Sequence, residues 1–382
     1  MKGSICLCIP VVCGLLAWSG LRAEDSGIAG KSGDAERPLV QLALLLDTSN
    51  SMDGMIQQAK TQLWSIVNEF VSAKRDGKRP LVQVALYQYG TPALGLQNGY
   101  IKQLLPLTDD LDKVSDVLFK LQTHGGDEYC GWVIQNATKE LQWSTRAKDY
   151  KAIFIAGNES FAQGTVDFRE ACKAAVSKGI VVNTIHCSGA EDTFWADAAR
   201  LADGSFMHID QNRRVVEIQA PQDAEIAKLG GELNKTYVAY GANGRAGAEL
   251  QAKQDANSAS LSAGNFAQRA LTKASVHYRN AGWDLVDAAK QKDFKLEEVK
   301  EADLPEDMRK MSADERKAFV EAKQKEREQI QTRIAELTKQ RKEFVAAEEK
   351  KAAEANKDTL GNQVRDAVRT QAAKRAELHF AE

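Results

Sequence analysis

The stretch whose reading decides the fold is Leu39-Val40-Gln41-Leu42-Ala43-Leu44-Leu45-Leu46-Asp47-Thr48-Ser49-Asn50-Ser51-Met52-Asp53-Gly54. From Leu39 to Leu46 it is an almost unbroken apolar run, the pattern of a central parallel strand covered on both faces, and it stops abruptly at Asp47. Beyond it Met55, Ile56, Ala59, Leu63, Ile66, Val67, Phe70 and Val71 recur at steps of three and four, which predicts an amphipathic helix with Gly77 as its stop signal. Polar residues therefore sit at the carboxyl end of a buried strand, where open parallel sheets bind ligands.

Outward from this unit the alternation repeats. Strands are expected around Leu81 to Tyr89, Tyr100 to Leu107, Ala152 to Ala156, Ile180 to Cys187 and Ser205 to Ile209. Helices are expected around Leu111 to Leu121, Trp132 to Leu141, Phe168 to Ser177 and Trp195 to Leu201. Strands alternating with helices at such intervals predict an α/β fold: a doubly wound, mostly parallel sheet with helices on both faces, spanning residues 39–210. Trp64, Trp132, Trp143 and Trp195 fall at apolar helix spacing and read as core.

After Val215 the composition shifts to Ala, Gln, Lys and Glu, and Gly230-Gly231, Gly241, Gly244 and Gly247 punctuate a linker and helical segment, residues 211–310. Ser312-Ala313-Asp314-Glu315 is a capping-box pattern opening a charged helix that can run to about Ala355. Its thin seam of Val320, Ile330, Ile334, Leu337 and Phe344 predicts a helical hairpin or coiled coil over 311–382, against the helix carrying Leu360, Val364 and Val368, and leaves self-association open. The charges along it read as a solvated face.

The 51 Lys+Arg against 53 Asp+Glu leave a formal net charge of −2, which provides no global field for nucleic acid or an anionic membrane, so a partner must be recognised by a local site. Met1-Lys2-Gly3, an apolar run from Ile5 to Trp18 and Leu21-Arg22-Ala23 have the order of a secretory signal over residues 1–23, followed by a mobile leader at 24–38. The apolar run is shorter than the roughly 18 to 20 residues a membrane span needs, so an exported protein, periplasmic or extracellular, without an integral span is expected. Cleavage after Ala23 removes Cys6, Cys8 and Cys13 and leaves Cys130, Cys172 and Cys187. These form one disulfide and a free thiol, a Cys130–Cys187 bridge being one pairing, or remain three buried thiols, since spacing does not define connectivity.

Asp47, Ser49 and Ser51 stand at alternate residues and can converge on one hard cation: magnesium accepts oxygen ligands and keeps several waters. Capping the following helix is the alternative, but a cap needs one such residue and not three. The pattern Asp-x-Ser-x-Ser after a buried first strand resembles the metal-ion-dependent adhesion site of the von Willebrand factor type A domain, a likeness covering about Leu39 to Asp210.

That resemblance implies two further loops. The second commonly supplies a Thr after paired glycines; here His124-Gly125-Gly126-Asp127-Glu128 places Asp127 in that position, adding a carboxylate that should weaken the cation's pull on an acidic ligand. The third normally supplies an Asp after the fourth strand; here Gly157 occupies that position and the role passes to Asn158 or Glu159, which otherwise read as a polar turn. His124 and His186 lie near the same face, but imidazole suits zinc or copper better than magnesium.

The resemblance implies a protein-binding module, not an enzyme, that uses Mg²⁺ (or Mn²⁺ or Ca²⁺) to grip an acidic side chain of a protein partner in cell adhesion or a similar interaction. Two alternatives are a structural scaffold with a degenerate site and a metal-dependent hydrolase with Glu128 or Glu159 as base. The hydrolase lacks a Gly-x-Ser-x-Gly elbow, a His-Glu-x-x-His helix and a phosphate-cradling loop.

Overall fold

A computed structural model describes residues 37–188, 192–210, 218–351 and 360–380. The expected signal segment 1–23, its three cysteines, and the leader up to residue 36 lie outside the described residues, as does the end of the charged helix near Ala355.

Six strands form one sheet: β1 (Leu39–Asp47), β2 (Leu81–Tyr89), β3 (Ile101–Thr108), β4 (Tyr150–Gly157), β5 (Val181–His186) and β6 (Phe206–His208). Their order is β3-β2-β1-β4-β5-β6, and every pair is parallel except β2 with β3. The sheet is thus mixed and mostly parallel, with an antiparallel edge strand. The chain runs from β1 outward to β2 and later returns to β1's other side with β4, so the order reverses at β1 and opens a crevice beyond its carboxyl end.

The apolar run of β1 divides between two cores by the two-residue period of a strand. Val40, Leu42 and Leu46 face one layer with α1 (Asp53–Glu69) and α2 (Leu111–Lys120), while Ala43 and Leu45 face the other with α3 (Cys130–Glu140), α4 (Phe168–Ser177) and α5 (Thr193–Leu201). Asp110, Asp167 and Asp192 cap α2, α4 and α5 by accepting backbone N–H bonds. Trp64 and Trp195 are fully buried; Trp143 lies beyond the end of α3, half-buried, with its indole N–H donating to the Ala137 carbonyl at 2.8 Å.

Of the two alternatives for the cysteines, the structure has the three buried thiols and not the Cys130–Cys187 bridge. Cys130, Cys172 and Cys187 are free, buried thiols. Cys130 belongs to the α3 side of the sheet and Cys187 to the α1 side, so the sheet itself separates the two sulfurs.

Beyond residue 218 the chain is helical: α6 (Asp223–Asn234), α7 (Gly244–Leu261), α8 (Ala263–Ala274), α9 (Leu285–Ala289), α10 (Glu306–Arg309), α11 (Ala313–Lys351) and α12 (Leu360–Ala376). Gly230 and Gly231 do not punctuate a linker. They lie inside α6, where a side chain at Gly230 would press on Ala270 of α8 at 2.9 Å. α8 lies on α1 and α7 on α2, so this region packs directly against the sheet domain.

The capping box at the start of α11 forms as read, with Ser312 N–H donating to Glu315 Oε2 at 2.7 Å and Glu315 N–H to Ser312 Oγ at 3.3 Å. The seam of α11 is used differently from the expected hairpin or coiled coil. Ile334 and Leu337 pack with Ile226, Leu233, Ala267 and Ala270 of α6 and α8, and Val320 packs with Leu285 and Val286 of α9. The helix carrying Leu360, Val364 and Val368 instead lies along α1 and β4, closing the first core of the sheet.

Candidate functional site: a cluster of oxygens beyond the first strand

Asp47 is the last residue of β1 and is completely buried. Its Oδ1 accepts the Ser49 backbone N–H at 2.7 Å, an Asx-type turn that folds the polar loop back over the strand end. Its Oδ2 is buried and has no hydrogen-bond partner. Thr48 fastens the loop sideways, donating from both backbone N–H (2.9 Å) and hydroxyl (3.0 Å) to the Tyr89 carbonyl at the end of β2.

Ser49 is 5% exposed, and its Oγ lies 3.3 Å from Ser51 Oγ. Ser51, on the rim, donates to Asn158 Oδ1 at 3.1 Å, so the first and third loops are joined through residues 107 positions apart. The geometry thus gathers Asp47, Ser49, Ser51 and Asn158 into one hydrogen-bonded chain. Glu159 is exposed, yet its charge acts on Asp47 and Glu128. Its backbone carbonyl accepts the Trp195 indole N–H at 2.9 Å, which fixes the third loop.

The second loop is held by His124, whose backbone N–H donates to the Thr48 carbonyl at 2.7 Å while its side chain is exposed. Asp127 is exposed on the rim. The neighbouring Glu128 turns inward and is 5% exposed, and the charge of Asp47 acts on it. The Gly-Gly pair marks the loop in the sequence, but no spacing says which of two adjacent carboxylates enters; only the arrival of β2 beside the loop does.

Two glycines make room. A side chain at Gly90 (φ +80°) would meet Asp47 Oδ1 at 2.5 Å and Glu128 Cγ at 3.1 Å. One at Gly157 would meet the Tyr89 hydroxyl at 2.7 Å, Trp195 at 3.1 Å and Asp47 Oδ2 at 3.3 Å. Gly157 therefore faces the site without space for the Asp that usually stands in this loop. His186 is buried against Trp195, with ring centroids 5.3 Å apart, and its ring bonds the Asn158 backbone; burial holds its pKa below the usual value.

The electrostatics are those of uncompensated negative charge. Burial, opposed by the Ser49 bonds and reinforced by Glu159, raises Asp47 to about 7. Burial and the charges of Asp47, Glu159 and Asp127 raise Glu128 to about 8. None of the described cationic side chains pairs with Asp47, Glu128 or Glu159. A buried carboxylate without a partner is costly, and a bound cation is one remedy.

The donor set fits a hard divalent ion: an unpartnered carboxylate oxygen, two hydroxyls, an amide oxygen and a second inward carboxylate. Among the described residues no three carboxylates, imidazoles or thiols gather as a cage of their own, so a cation here draws on the serine hydroxyls. Asp47, Ser49 and Ser51, with Asn158, would hold it.

Comparison with known proteins agrees with this architecture. The von Willebrand factor type A domain family matches residues 41–219. Among solved structures, proximal thread matrix protein 1 from the mussel byssus is 15% identical over 45% of this chain and 41% of its own, with a TM-score of 0.35. The same protein with a zinc-occupied MIDAS motif is 16% identical, covers 45% of this chain and 42% of its own, and has a TM-score of 0.36. The SpRpn10 VWA domain is 16% identical over 45% of this chain and 88% of its own, with a TM-score of 0.35. This chain therefore spans about two fifths of the mussel protein's length. No curated protein matches the chain. The family typically binds partners through a divalent cation in a metal-ion-dependent adhesion site, and the chain carries a von Willebrand factor type A domain at residues 41–219, followed by a helical C-terminal region.

Proposed function

We propose that this protein is an exported binding module, without catalytic groups of its own, that captures an acidic side chain of a protein partner through a divalent cation. The observation that carries the reading is Asp47, wholly buried with Oδ2 unpartnered and no cationic side chain among the described residues bonded to it. Asp47 supplies the charge that fixes the ion, Ser49 and Ser51 supply hydroxyl oxygens, and Asn158 supplies an amide oxygen from the third loop. Glu159 and Asp127 stand at the rim and add negative potential around it. The bound ion, Mg²⁺ or its near equivalents Mn²⁺ and Ca²⁺, supplies a positive centre for a partner's oxygen. The helical region, packed on α1 and α2 over two extended cores, offers surface for assembly or self-association.

Export rests on the sequence of residues 1–23 alone. Amino-terminal sequencing of the protein from the exported fraction, expected to begin at Glu24, tests it. The binding role is tested by pull-down from that fraction with Mg²⁺ or with chelator, using wild type and Asp47→Ala. Capture that needs both the ion and Asp47 supports the reading; capture indifferent to both points to a scaffold.

A further inference from the structure

We propose that Glu128 is a built-in ligand of the cation site, holding the position that a partner's acidic side chain would take, so that the site stays closed on itself until a partner displaces it. The inference rests on the reading that Asp47, Ser49 and Ser51 hold a divalent cation, and it adds how access to that cation is regulated.

Glu128 does not behave as an ordinary loop carboxylate. Asp127, one residue earlier, is exposed to solvent, while Glu128, two residues before α3, is 5% exposed. Its side chain and that of Asp47 together fill the space over Gly90, where a Cβ would meet Glu128 Cγ at 3.1 Å and Asp47 Oδ1 at 2.5 Å, and the charge of Asp47 acts on Glu128. Nothing in the described protein repays this burial with positive charge: the charges of Asp47, Glu159 and Asp127 act on Glu128, and none of the described Lys, Arg or His side chains pairs with it. Asp47 Oδ1 is the oxygen on the Glu128 side, and the unpartnered Oδ2 is buried on the Gly157 side of the same carboxylate. A second carboxylate turned inward beside it is what a divalent ion would stabilise.

A carboxylate tethered in the same chain is chemically the same ligand as the Asp or Glu of a partner, and it acts at a high effective concentration. A free acidic peptide must therefore compete with Glu128. Once Glu128 and Asp47 have both offset the ion's charge, little attraction remains for a third carboxylate. Removing the charge of Glu128 should weaken the hold on the ion and strengthen the hold of the loaded site on an outside carboxylate, two changes of opposite sign.

The experiment uses the full chain with Mn²⁺ as the ion and acetate or a short Asp-containing peptide as the carboxylate. Calorimetry measures Mn²⁺ affinity, and water-proton relaxation reports how many waters the bound Mn²⁺ keeps. For Glu128→Gln, Mn²⁺ affinity is expected to fall about tenfold, relaxation enhancement to rise, and carboxylate affinity of the loaded protein to rise about tenfold. Glu128→Asp, which keeps the charge but withdraws it from the ion, should show a gain in carboxylate affinity in the same direction but smaller, which serves if the amide variant fails to fold. If wild type and Glu128→Gln bind Mn²⁺ and acetate alike while Asp47→Ala abolishes Mn²⁺ binding, this proposal fails and the cation site stands. If wild type binds no Mn²⁺, both fall.

Discussion

Arg269 of α8 reaches Asp112 of α2 across the junction between the helical region and the sheet domain, Nη1 to Oδ1 at 2.7 Å, with the arginine side chain wholly buried. The same guanidinium bonds Asp255 of α7 at 2.5 Å and lies 4.8 Å over the Trp64 ring of α1. Tyr278 donates to the other Asp112 oxygen at 2.5 Å, and Lys273 pairs with Asp255 at 2.6 Å. Breaking such a network from one side leaves buried charges without partners.

Arg269→Ala is therefore expected to destabilise the whole protein by about 3–5 kcal/mol. The midpoint of urea unfolding measures it. A loss confined to the helical region, with the sheet domain melting as in wild type, would contradict the coupling.

The metal-free protein should lose stability as pH rises. Asp47 and Glu128 are raised to about 7 and about 8 in the folded state, from the ordinary 3.8 and 4.5 of free carboxyls. Between those limits the folded state holds more protons than the unfolded one, so the stability they contribute is complete below about pH 4 and is lost through pH 7 to 8. Thermal melts in chelator across pH 4 to 8 test this, and saturating Mn²⁺ should offset the loss at the alkaline end.

Gly157→Ala places a methyl 2.7 Å from the Tyr89 hydroxyl and 3.1 Å from Trp195. We expect a cost of about 1–3 kcal/mol from overpacking. Gly157→Asp, which restores the usual third-loop residue, should be no better tolerated and should not raise Mn²⁺ affinity, as denaturation and calorimetry can show.

Gln371 of α12 joins the sheet through a buried network: its Nε2 donates to Asn183 Oδ1 at 2.6 Å and Ser205 Oγ at 3.0 Å, and its Oε1 accepts from the Tyr150 hydroxyl at 2.8 Å. Gln371→Leu orphans these groups, and a loss of about 1–3 kcal/mol follows. Hydrogen exchange should become faster in β4, β5 and α12 before it changes in α11.

Cys130, Cys172 and Cys187 are buried thiols whose pKa values burial raises. Alkylating reagent should leave all three unmodified in the native protein and label all three once it is unfolded without reductant, by peptide mass mapping. Failure of any pair to label would reveal a disulfide.

Much of the sheet domain was readable because its signals are local. The apolar run of β1, the three- and four-residue steps of α1 and the Ser312 capping box each depend on neighbours in the chain, and each appears at or within a few residues of its expected place. The polar turn from Asp47 to Ser51 was readable for the same reason. The second loop was less so. Asp127 and Glu128 are adjacent and chemically alike, and which one turns inward depends on Gly90, 38 positions away, leaving a space no local pattern announces.

The helical region was the least readable. A seam of single apolar residues on α11 is compatible with several partners, and hairpin pairing is only the nearest in sequence. The observed partners of α12 are α1 and β4; Leu360 N–H donates to Gln58 at 3.0 Å across 302 positions, and Gln371 meets Asn183 across 188. By itself, then, the order of residues determined the alternating elements, the buried first strand and the oxygen-bearing turn at its end, because periodicity and turn chemistry act over a few residues. The tertiary structure alone decided which carboxylate turns in toward Asp47, which surface receives the last helix and how the buried Arg269 binds the two regions together, because those outcomes depend on burial and charge pairing between distant segments.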